Sequence, residues 1–308
     1  MNLHHDKKAF EELIIGASNE LAIPVNVIEK DYYVTITLKT LAEKINDLVF
    51  KGGTSLTKCY QLLNRFSEDI DLSYTAESGV PGESRKKQFK KNIVSTMDEL
   101  GFSITNLDMT RSRRNYNCYR ADYPSVYVQD GILKPELVIE TYVAMLPFPT
   151  TKRMVDNYIY RFLNKINRLD LAEKYELMPF EITTQTIERT LVDKVFALCD
   201  YYMQGKIERH SRHLYDIHKI VGKFGVPDEL RSLVPEVRAV RSGMSVCPSA
   251  KPDICVPNIL NEIIENNVYK KDYKEITMKL LFIPETYEAV IESLKIILDS
   301  GFWDLHIK

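Results

Sequence analysis

A chain of 308 residues is long enough to bury a large core and to form two domains. Its 41 basic and 43 acidic side chains leave a formal net charge of −2, which excludes a protein that grips nucleic acid with its whole surface and leaves that task to local basic patches. No apolar run approaches the roughly 20 residues needed to span a bilayer, and the stretch MNLHHDKKAFEELII is charged where a secretory signal would be apolar, so a cytoplasmic protein without a membrane partner is expected.

Apolar spacing through Phe10, Leu13, Ile14, Ala17 and Leu21 predicts a helix over 7–21, ended by Pro24. A second helix follows, with one apolar face running from Ile28 through Tyr32 to Leu41. Its first turn, Glu29-Lys30-Asp31, reads as a solvated turn on a packing helix in preference to a catalytic group. Leu48 to Phe50 form a short strand, then Gly52-Gly53 open a helix through Leu56, Tyr60 and Leu63, and Ile70, Leu72 and Tyr74 alternate as in a half-buried strand. The glycines let the backbone approach a ligand, and Thr54 and Ser55 bring hydroxyls beside the helix's first amides, which suits a phosphate. Two residues apart on a strand, Asp69 and Asp71 project from one face and can bridge metal ions. A GG pair alone is a common turn and an alternating acid pair a common wet strand face; their joint occurrence around one helix argues for a site.

The stretches Gly52-Gly-Thr-Ser-Leu and Arg65-Phe-Ser-Glu-Asp-Ile-Asp-Leu72 resemble the first motif of the polymerase-β-type nucleotidyltransferases, in the form carried by AbiEii/AbiGii toxins of bacterial type IV toxin–antitoxin systems. Glu29 to Thr35 is similar to a recurring stretch ahead of the glycines in that family.

Glu77 to Glu83 reads as a loop, and a basic helix carrying Arg85, Lys86, Lys87, Lys90 and Lys91 follows, either a solvated face or a contact to a phosphate backbone. Arg111, Arg113, Arg114 and Arg120, interleaved with Tyr116, Tyr119 and Tyr123, suit phosphates and stacked bases or a plain sheet surface equally well. Strands over Tyr116 to Val128 and Leu137 to Ala144 are expected to pair, with Asp130-Gly131 in the connection. Glu140 is a carboxylate in the midst of apolar and β-branched residues, so it faces solvent or a site. The resemblance implies a third catalytic acid there, with Glu136 as the fallback. Pro147, Phe148 and Pro149 mark a change of texture, beyond which clear periodicity is helical. Lys194 lies beside the stripe Ile187, Leu191, Val195, Leu198; it either snorkels or, as the resemblance implies, reaches toward a triphosphate. In Arg209 to His218 the resemblance counts Asp216 among the functional residues, against a plain ion-paired or capping aspartate. Val226 to Pro257, rich in Pro, Gly and Ser, reads as short helices and loops, and Asn258 to Asn267 and Pro284 to Ser300 as two further helices. The five cysteines, Cys59, Cys118, Cys199, Cys247 and Cys255, fit reduced thiols better than a disulfide frame or a zinc site.

The expected fold is α+β: a polymerase-β-type nucleotidyltransferase domain over 1–149, a mixed sheet with flanking helices, followed by a mainly helical domain over 150–308. By resemblance, Asp69, Asp71 and Glu140 hold two Mg²⁺ ions. Lys51, Gly52, Gly53, Thr54, Ser55, Ser67 and Lys194 bind the NTP, and Asp216 completes the catalytic set with Asp69, Asp71, Glu140 and Lys194. The same resemblance implies an RNA acceptor, the 3′ end of tRNA, whose blocking would stop translation, and a cognate AbiEi-like antitoxin encoded nearby. Two alternatives stand beside it: transfer to a protein or small-molecule hydroxyl, and a non-catalytic nucleotide-binding module. The residues leave the preferred base open.

Overall fold

A computed structural model describes residues 1–65, 67, 69–75, 79–127 and 134–303. Expectations at Phe66, Glu68, Glu77, Val128, Asp130 and Gly131 lie outside the described residues. Contacts divide the chain into two compact units, one of Met1–Tyr60 and Ser67–Thr184, the other of Gln61–Phe66 and Gln185–Lys308.

The first unit is mixed α/β. Asp6 caps α1 (Lys7–Leu21) by accepting from the Ala9 amide, and Phe10, Ile14 and Ala17 are its buried stripe. After Pro24 comes α2 (Val25–Lys44), whose middle is buried all round. Strands β1 (Leu48–Lys51) and β2 (Asp69–Tyr74) flank the short α3 (Gly52–Lys58), and α4 (Glu83–Leu100) ends at Gly101 in the left-handed region. Five further strands follow: β3 (Ser103–Ile104), β4 (Tyr116–Asp122), β5 (Glu136–Tyr142), β6 (Thr150–Val155) and β7 (Phe180–Gln185), with α5 (Tyr158–Lys165) and α6 (Leu169–Lys174) before β7. Among the described residues they form one mixed seven-stranded sheet in the order β3-β4-β5-β2-β1-β7-β6.

The period of two in β2, β4 and β5 divides that sheet into two faces. Ile70, Leu72, Tyr119, Ala121, Leu137 and Ile139 are buried in one cluster with Phe10, Tyr32, Tyr33, Phe89 and Ile93 from the helices. Their sequence neighbours Asp69, Asp71, Cys118, Val138, Glu140 and Tyr142 are half-buried, and Tyr116 and Arg120 exposed, on the opposite face.

The sheet continues beyond the texture change at Pro147 to Pro149. β6 is one of its two edge strands and mostly exposed, so it has a polar sequence that does not announce a strand. The helix after the glycines is also shorter than its spacing predicts. It stops at Lys58, and Leu63 belongs to a segment of the second unit.

That second unit is mostly helical. Thr186 caps α7 (Ile187–Met203) by accepting from the Arg189 amide, and α8 (Arg212–Phe224) packs on α7 and on α12 (Tyr287–Asp299). Between α8 and α12 lie α9 (Leu230–Ser242), α10 (Val256–Glu265) and α11 (Lys270–Glu275). The first of these corrects the expectation of short helices and loops after Val226. Leu230, Leu233, Val234 and Val237 bury one stripe of a 13-residue helix, which tolerates Pro235 within it.

Candidate active site

At the end of β1 the chain turns through Gly52 at φ +78°, a left-handed conformation that favours glycine. Space demands glycine there as well, because a Cβ on Gly52 would lie 1.8 Å from Asp71 Oδ2 and 2.7 Å from its Cγ. The glycine corner and the second acid are therefore in direct contact. Gly53 is buried in the first turn of α3. Two hydroxyls tie this corner to β2: Thr54 Oγ1 donates to the Asp69 carbonyl at 2.5 Å and lies 2.9 Å from Ser67 Oγ, while Ser55 Oγ donates to the Gly52 carbonyl at 2.8 Å. Both hydroxyls thus bond to the backbone and brace the turn.

Strand register sets the acids beside one another. Asp71 is the Cα partner of Lys51 on one side and of Glu140 on the other, and Glu140 in turn faces Cys118. Lys51, Asp71, Glu140 and Cys118 therefore form a row across four strands spaced about 4.8 Å apart, and Asp69 stands two residues along from Asp71 on the same face. Lys51 Nζ also lies 5.8 Å from the centre of the Tyr142 ring. Tyr116 reaches diagonally across β4 and β5 to donate to Glu140 Oε1 at 3.0 Å. Burial, then the Glu140 charge, raise both the Tyr116 hydroxyl and the Cys118 thiol above their ordinary ranges, so both stay protonated. Glu136, the fallback acid, is held by Arg120 at 2.6 Å.

The donors on this face are carboxylate oxygens, the hard ligands that magnesium prefers. Among the described residues no group of three or more His, Cys, Asp or Glu is gathered closely enough to enclose an ion unaided. Magnesium sites commonly use one or two carboxylates and complete themselves with substrate phosphates, so the acids of this face suit that ion.

Residues Glu29, Lys30 and Asp31 are not a solvated turn. All three are buried, and each is satisfied by a distant part of the same unit. Glu29 accepts from Ser125 Oγ at 2.7 Å and the Val126 amide at 2.8 Å, and Lys30 donates to the Lys134 carbonyl at 3.1 Å. Asp31 pairs with buried Lys58 and accepts from the Tyr158 amide at 3.0 Å. Burial pulls the Lys58 ammonium below its ordinary range, and the Asp31 charge opposes that shift. These charges hold loops together.

Within the second unit Asp216 is fully buried on α8. Arg65 grips it with two parallel bonds of 2.8 Å, and Lys194 Nζ lies 2.8 Å from Oδ2. Burial alone would raise this carboxyl, but Arg65 and Lys194 outweigh it and hold it well below the usual carboxylate range. Asp216 therefore fixes the direction of Lys194. Arg65 is the residue that sequence reasoning passed over. An arginine within the motif was visible, but its buried partner lies 151 positions away. The segment bearing it is anchored by the Tyr215 hydroxyl, which accepts from the Asn64 amide at 3.2 Å, and by the Phe282 amide, which donates to the Asn64 carbonyl at 2.8 Å.

Among the described residues no helix is long and apolar enough to cross a membrane. No curated protein matches the chain. Residues 37–296, which include both the acid-bearing face and the Asp216 cluster, match the family of the nucleotidyl transferase AbiEii toxin of the type IV toxin–antitoxin system, and the chain belongs to that family of toxins paired with a cognate antitoxin.

Proposed function

We propose that the protein transfers a nucleotide from an NTP to an RNA acceptor, the 3′ end of tRNA, releasing pyrophosphate and so blocking translation until its antitoxin intervenes. The observation that carries this reading is the contact of Gly52 with Asp71, in the same row as Glu140. It brings a close-approach backbone turn and two neighbouring carboxylates to one place, as phosphoryl transfer requires. Asp69, Asp71 and Glu140 would hold Mg²⁺, which when bound supplies charge neutralisation at the phosphoryl oxygens. The turn Gly52 to Ser55 admits the phosphates close to the backbone, with its shape held by the Thr54 and Ser55 hydroxyls. Glu140 takes the proton of the acceptor hydroxyl. Lys194, held by Asp216, is the group assigned to the triphosphate.

The test is incubation with each labelled NTP, Mg²⁺ and total RNA. Label on RNA 3′ ends supports the proposal, and sequencing the labelled species identifies the acceptor. Label on protein or a metabolite would replace the acceptor, and binding without transfer would remove the chemistry.

A further inference from the structure

The proposed acid set leaves one physical question open: what fixes Glu140. A glutamate in mid-strand has three rotatable side-chain bonds, and on a half-open face it would sample several directions. Among the described residues, the side-chain hydrogen bond that the Glu140 carboxylate receives comes from the Tyr116 hydroxyl, at 3.0 Å. Tyr116 has only two side-chain torsions, and its ring packs edge to face on Tyr142, centroids 6.2 Å apart and planes at 89°. The Tyr142 ring has Lys51 Nζ over it in turn. The Cα partners in this part of the sheet, Tyr116 with Tyr142 and Cys118 with Glu140, fix the diagonal along which the hydroxyl reaches.

We propose that Tyr116 is a positioning residue for Glu140: its hydroxyl holds Oε1 and thereby aims the carboxylate at the cation and acceptor shared with Asp71. This rests on the reading of Asp71 and Glu140 as parts of a transfer site. The Arg-Tyr strand acquires a specific task by it. Tyr116 is 47% exposed, so the bond adds little to the core, and removing it tests function with the fold intact.

The experiment compares wild type, Tyr116→Phe, Glu140→Gln, the double variant and Asp71→Asn, with Mn²⁺ alone as the probe, followed by its paramagnetic resonance, and with labelled transfer as a second readout. Tyr116→Phe keeps the ring and its packing and loses one oxygen. It should weaken Mn²⁺ binding about tenfold and slow transfer by a similar factor, as loss of a hydrogen bond behind a ligand does, with the melting temperature unchanged. In the Glu140→Gln background the same change should add nothing, because the group it positions is gone. Wild-type behaviour of Tyr116→Phe, or its full loss added on top of that of Glu140→Gln, would overturn the inference while Asp71→Asn still shows the transfer reading sound. If wild type itself neither binds Mn²⁺ nor transfers label, or Asp71→Asn transfers normally, the transfer reading falls and this inference goes with it.

Discussion

The acids of the sheet face and the acid of the second unit differ in everything except chemistry. Asp69, Asp71 and Glu140 lie half-buried on one face of the sheet, where register sets Asp71 beside Glu140 on one side and Lys51 on the other. Asp216 is fully buried between an arginine and a lysine that satisfy it. Neighbouring carboxylates repel one another, and such an arrangement gains by receiving a cation. A buried carboxylate with two cationic partners has its charge already balanced, and the cost of disturbing it falls on folding. The comparison teaches that the position of a charge, more than its identity, decides whether its removal costs activity or structure.

Replacing one acid of each kind is the sharpest way to break that comparison. Asp71→Asn should reduce transfer by about a thousandfold while changing stability by less than about 0.5 kcal/mol. Denaturant titration beside a labelled-NTP assay reads both, and a large loss of stability would erase the distinction. Asp216→Ala should instead cost about 3–5 kcal/mol in urea unfolding, because Arg65 and Lys194 lose their common partner, and transfer should fall with it because Lys194 is no longer held. A midpoint equal to wild type would show that the cluster is not structural.

A smaller effect is expected at the corner. Gly52→Ala introduces strain at a positive φ together with a clash against Asp71, so stability should fall by about 1–3 kcal/mol and transfer should fall with it. Retained transfer with a displaced Asp71 would argue against the close contact being needed.

Acid sharpens the contrast further. His213, buried beside Lys194 and Arg212, has its pKa lowered well below 6.5, by burial first and then by those cations. Because the folded value is depressed, its contribution is fully present above about pH 6.5 and is lost as pH falls from there toward the folded value. Asp216, also depressed, contributes above its ordinary value near 3.8 and therefore stays silent in that window. The melting temperature should be flat from pH 8 to about 6.5 and decline toward pH 5, with a smaller decline in His213→Asn. Least of all, Arg120→Ala removes a half-exposed pair with Glu136 and should cost less than about 1 kcal/mol.

Much of this was legible because period and motif are local. The alternation around Asp69 and Asp71 and the glycine turn lie within one short stretch, and the strand around Glu140 declares itself by its β-branched neighbours. That Asp71 and Glu140 are partners depends on a register between strands far apart in sequence, which no spacing encodes. Glu29 to Asp31 reads as a solvated turn for a related reason. Charged residues are rarely buried, and the partners that make burial tolerable here, Ser125, Lys58 and the Lys134 carbonyl, come from elsewhere in the chain. β6 and α9 were hidden by composition, one by the polarity of an edge strand and the other by its prolines, glycines and serines.

The segment Gln61–Phe66 interrupts the first unit and draws its partners from the second. A fragment ending at Thr184 would still carry Arg65, but with the carboxylate that neutralises it cut away. The sheet with its acids is consequently no detachable module: the part of the chain after Thr184 is needed to shelter a charge that the motif itself brings along.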